Sequence, residues 1–112
     1  MSSVVIKSID RNKIHRAVNK FNRRIRLEHP EISRVIWFGS WIHGHPVPGS
    51  DVDLCLILNH TDLPPRDRIS KYLPVGFPVG LDLLVYTQQE FELLDEISPG
   101  LKREILKGKD LK

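Results

Sequence analysis

The sequence predicts an α/β (α+β) fold, a small mixed β-sheet flanked by helices, and two observations predict it. Three short apolar runs, residues 34–38 (RVIWF), 51–58 (DVDLCLIL) and 79–86 (VGLDLLVY), have the length and composition of buried strands. Around them, apolar residues recur at spacings of three and four, the period of a helix that lays one face on a core. The resulting order is α-β-β-α-β-α-α, which layer packing resolves as a sheet covered by helices.

The first helix is predicted over residues 10–27. Ile14, Ala17, Val18, Phe21 and Ile25 share a face, Asp10 is the N-cap, and Pro30 marks the end. Its opposite face carries Arg11, Lys13, Arg16, Lys20, Arg23 and Arg24. The first strand, 34–38, stops at Gly39. Residues 40–43 make one helical turn closed by Gly44, and HPVPGS (45–50) is a loop because two prolines and a glycine leave no room for a ladder. The second strand, 51–58, is almost wholly apolar after Asp53. A short helix is expected over about 65–72, then the third strand at 79–86. Thr87-Gln88-Gln89-Glu90 fits a capping box, opening a helix with Phe91, Leu94 and Ile97 on its inner face. Ser98-Pro99 starts a last helix with Leu101, Ile105 and Leu106 inward and Gly108 as its stop.

A chain of 112 residues has room for one domain spanning 1–112, and 40% apolar with 28% charged residues is ordinary for a globular protein. No apolar run reaches the length of a membrane span, and the start, MSSVVIKSIDRNK, lacks a signal-peptide core. Cys55, alone, makes no internal disulfide, so a reducing cytoplasm is the expected location. The net charge of +3 is unevenly spread. Residues 1–34 hold nine Lys/Arg against three Asp/Glu, a balance of +6, and the remainder holds eight against eleven, a balance of −3. The basic helix face carries no interleaved aromatic, so sequence-specific DNA binding is not expected.

Three features carry chemistry. Gly39-Ser40 ends a strand and opens a helical turn, where a backbone without Cβ and free N–H groups suit a phosphate. Asp51 and Asp53, at i and i+2 on a strand, project from one face, and two such carboxylates repel unless a cation joins them. Mg²⁺ suits that pair, because it also takes substrate phosphates as ligands. Asp82 is an acid inside an apolar strand, where a charge is costly unless paired. With neighbouring second and third strands, it completes a three-carboxylate cluster able to hold two metal ions. His43 and His45 lack the cysteine cluster of a zinc site.

The pattern Phe38-Gly39-Ser40, ten residues, Asp51-Val52-Asp53-Leu54 resembles the signature of the polymerase β-like nucleotidyltransferases, and more closely that of the minimal nucleotidyltransferases of prokaryotes. The resemblance implies that family's core fold. It implies that Asp51, Asp53 and Asp82 are catalytic metal ligands for two Mg²⁺ ions, with Mn²⁺ as a substitute. It also implies that Gly39 and Ser40 hold NTP phosphates, ATP above all. Ser50 is a further candidate for phosphate binding or loop ordering. Relatives commonly carry Arg or Lys after Gly-Ser; here Trp41-Ile42-His43-Gly44 puts His43 at that nucleotide-binding position.

The expected activity is therefore transfer of a nucleoside monophosphate, AMP, to an acceptor hydroxyl on a small molecule, a protein or an RNA end. Relatives are often encoded beside a helical HEPN-type protein that some of them adenylylate as antitoxins. The alternative is a binding module that neutralises a partner by docking, for which residues 72–78 (YLPVGFP) offer an apolar stretch.

Overall fold

The computed structural model describes residues 10–112. Charge split and apolar period act together in α1 (Arg11–Glu28). Asp10 caps it by accepting from the Lys13 N–H at 3.0 Å, and Ile14, Val18, Phe21 and Ile25 are buried. The strands are β1 (Ile32–Phe38), β2 (Val52–Leu58) and β3 (Leu81–Thr87). Between them lie the turn α2 (Ser40–His43) and the helix α3 (Pro65–Tyr72). The capping box at Thr87 and Glu90 opens α4 (Gln88–Ile97), and α5 (Pro99–Leu106) follows.

A fourth strand absent from the sequence analysis, β4 (Lys109–Leu111), completes a sheet of order β3-β2-β1-β4. The sheet is mixed, as expected: β1 is antiparallel to β2 and β4, and β2 is parallel to β3. Three residues are too few to show a period, so β4 has no local signature. Tertiary bonds hold it instead. Arg34 grips Asp110 through two hydrogen bonds, at 2.8 and 3.3 Å. From α1, Asn22 and Arg26 donate to the carbonyls of Lys112 and Leu111.

Each face of the sheet has its own core. One joins α1 and Tyr72 to Val35, Trp37, Val52, Leu54, Leu56, Leu58, Leu83 and Val85. The other joins Phe91, Leu94 and Ile105 to Ile36, Phe38, Cys55 and Ile57. Two residues assigned to inner faces are not there. Ile97 is 80% exposed and Leu106 53% exposed, because both stand in the last position of a short helix, past the sheet they were expected to cover. Of the 72–78 stretch, Tyr72 and Phe77 pack on the α1 core, whereas Leu73 and Val75 point outward. Among the described residues, no helix is long and apolar enough to cross a membrane.

Candidate active site

Three strand ends meet at one end of the sheet. The antiparallel register sets Phe38, the last residue of β1, opposite Asp53 near the start of β2. The parallel register sets Asp53 beside Asp82 near the start of β3. Neighbours in register share a face, and along β2 Asp53 alternates with Val52 and Leu54, which are buried against α1. Both carboxylates therefore leave the sheet on the α4–α5 side. Asp51 lies one residue ahead of the strand, exposed, two positions from Asp53.

Two glycines make room for these carboxylates. Gly39 has φ +85°, and a Cβ there would land on the Asp53 carboxylate, 3.0 Å from its Cγ. A Cβ at Gly80 would likewise strike the Asp51 carboxylate, 2.8 Å from its Cγ. Gly39 thus does more than end a strand: it lets the α2 turn sit against the Asp53 carboxylate.

The charges at this end are unbalanced. Burial, then the charge of Asp82 and a hydrogen bond with it, then the charge of Asp51, push the Asp53 carboxyl up from 3.8 to about 6. No Lys or Arg forms an ion pair with any of the three among the described residues. Asp82 corrects one expectation. It is exposed, at the second position of an edge strand, so it escapes the burial cost that a mid-strand acid would carry.

Among the described residues, no group of three or more carboxylate, imidazole or thiolate side chains is placed to hold a metal ion; Asp53 and Asp82 stand as a pair, with Asp51 ahead of the strand. The donor set still fits a hard divalent cation, since Mg²⁺ is commonly held by one or two carboxylates together with substrate phosphates. A half-buried carboxylate whose proton affinity is raised by burial and by a second carboxylate beside it offers such a cation the charge it needs.

The remaining candidates divide. Gly39, Ser40 and His43 line one open cleft of about 400 Å³, with Gly44, Glu104 and Lys107. His43 does not stand free there, because its Nε2 is hydrogen-bonded to the Lys107 carbonyl. Ser50 orders its loop: its hydroxyl accepts from the Val47 N–H at 2.8 Å, and its carbonyl accepts from Trp41 Nε1 at 3.1 Å. His45 is exposed in the same loop. Glu104 and Lys107, far down the chain, were missed because the fold alone brings α5 to this turn.

A strand-end carboxylate pair beside a glycine turn, on a mixed sheet backed by helices, has the groups that metal-assisted phosphoryl transfer uses. The family model described as "Nucleotidyltransferase domain" matches residues 18–111, and the chain belongs to that family. Transfer of a nucleoside monophosphate from an NTP is its general chemistry. The fold is similar to a crystal structure from Sulfolobus solfataricus described as a candidate nucleotidyltransferase. The two share 17% identity at a TM-score of 0.60, over 73% of this chain and 74% of that one. No curated protein matches the chain in sequence.

Proposed function

We propose that this chain is a metal-dependent nucleotidyltransferase that moves AMP from ATP to an acceptor hydroxyl, as an antitoxin acting on a helical HEPN-type partner. The observation that supports it most is the in-register pair Asp53–Asp82 beside the Gly39 turn. Asp51, Asp53 and Asp82 would hold Mg²⁺, or Mn²⁺, and the Gly39 backbone with the Ser40 hydroxyl would bind the β and γ phosphates. When bound, the divalent ions neutralise phosphate charge and make the acceptor oxygen a better nucleophile. Asp82, the exposed member of the pair, accepts the hydroxyl proton as the oxygen attacks the α-phosphorus. The new P–O bond forms as the α–β phosphoanhydride bond breaks, and pyrophosphate leaves with the bridging electrons.

The test is the intact mass of the co-encoded partner after incubation with ATP and Mg²⁺. A gain of one adenylate, lost with Asp53→Asn, is expected. An unchanged mass together with unchanged partner activity sinks the proposal.

A second reading, docking without chemistry, is favoured by Leu73 and by Val75, which is 98% exposed. It predicts that a double variant, Asp51→Ala with Asp53→Ala, neutralises the partner as well as the wild type does.

A further inference from the structure

We propose that Lys107 supplies the positive charge for the triphosphate in this site, and that His43 positions it through the backbone. The inference rests on the nucleotide assignment above and adds a residue to it. Three or more negative charges must be met beside Gly39-Ser40, and His43, whose Nε2 is engaged by the Lys107 carbonyl, does not meet them. A carbonyl oxygen can only accept, so His43 Nε2 carries the hydrogen and spends it on Lys107. That carbonyl belongs to the C-cap of α5, where acceptors otherwise lack intrahelical partners. His43 is therefore a latch between the Gly-Ser turn and the end of α5.

The latch holds a cation in the cleft. Lys107 is the permanent cation among the described residues that line it. Its backbone is fixed on three sides. The Lys107 N–H donates to Arg103 O at 3.1 Å, its carbonyl is held by His43, and the next residues enter β4, where Lys109 pairs with Trp37 of β1. β1 is the strand whose end presents Gly39, so turn and lysine are carried by adjacent strands. The Lys107 side chain, in contrast, is loosely held. Its Nζ lies 4.0 Å from Glu104 Oε1, with the two side chains 60% and 56% exposed. An exposed pair of this kind contributes little, and a phosphate oxygen is the stronger partner. Glu104 is thus the competitor that a bound triphosphate displaces.

The test compares ATP with AMP, which lacks the β and γ phosphates, by equilibrium binding to the full chain with Mg²⁺ present. Lys107→Ala is expected to weaken ATP about tenfold, the lower end for a hydrogen bond to a charged group, and to leave AMP unchanged. Lys107→Arg keeps ATP binding, whereas Glu104→Gln tightens it. His43→Ala lowers the ATP-over-AMP preference, and His43→Gln, whose amide N–H can reach the same carbonyl, restores it. AMP binding guards against misfolding in each variant. Unaltered ATP affinity in Lys107→Ala, or equal loss of ATP and AMP, overturns the inference while leaving the site assignment intact. A wild-type chain that prefers ATP no more than AMP overturns both.

Discussion

The two ends of β3 handle charge in opposite ways. At the far end, Arg68 is only 5% exposed, yet every direction is answered. It donates to the Leu63 carbonyl at 2.9 Å, to the Val85 carbonyl at 3.3 Å, and to both oxygens of Glu90 at 2.6 and 3.2 Å. The hydrogen bond from Arg68 holds the Glu90 carboxyl below its usual range. Beside the near end, Asp53 of β2 is half-buried among carboxylates, and burial with the charge of Asp82 pushes its carboxyl up to about 6. Both are charges in a partly dry setting, but one is paired within the protein and the other, among the described residues, faces only further carboxylates. An arrangement that raises a carboxylate's proton affinity lowers the stability of the empty protein. It persists where function needs it.

Four predictions sharpen or break that contrast. The largest effect falls on activity. Asp53→Asn should lower nucleotidyl transfer on the order of a thousandfold, several kcal/mol of transition-state stabilisation, while the melting temperature stays level or rises. A clear fall in melting temperature would place Asp53 among the structural charges instead.

Next in size, Arg68→Leu should destabilise the chain by about 3 kcal/mol, read from the denaturant midpoint. That is the low end for breaking a buried pair, because Glu90, at 39% exposure, regains some water. A loss below about 1 kcal/mol would mean that the pair is no more than surface decoration.

Mg²⁺ should stabilise the wild type by about 1.4 kcal/mol at ten times its Kd, following mass action, and leave Asp53→Asn unmoved. Equal thermal shifts in both proteins would dissociate the ion from this carboxylate pair.

The last effect, reduced by the solvent that reaches Asp53, is on pH dependence in EDTA. The folded-state value for Asp53 is raised, so protonation favours the folded form, and stability should fall as pH rises from about 4 to about 6. Glu90 has the opposite sign: its value is lowered, so its contribution is present above the ordinary carboxylate range and is lost on acidification below it. Asp53→Asn should therefore flatten the slope between pH 4 and 6 and leave the acid limb alone. A slope that survives the substitution would assign it to other groups.

Much of this contrast was legible beforehand. The capping box at Thr87 and Glu90, the Asp10 cap, the basic face of α1 and the Ser40–His43 turn are local, set by side chains within a few residues of the backbone they bond. Asp51 and Asp53 were picked out together on strand alternation, which puts i and i+2 on one face, but Asp51 stands one residue ahead of β2. Glu90 was read only as a cap, since its second role depends on Arg68, on another helix.

The sequence by itself determined the class of fold, the strand that carries Asp53 and the glycine that ends β1, because each is a matter of local period or local turn chemistry. Tertiary structure alone decided the rest. The β2–β3 register, set by which side chains bury together across the sheet, places Asp82 next to Asp53. The three residues of β4 become a strand only because β1 offers an open edge and α1 offers donors to their carbonyls. That edge pairing carries the end of α5 to the Gly-Ser turn, where His43 meets Lys107 across 64 residues of chain. No period or propensity encodes a meeting of that kind, since it is a product of closing the sheet.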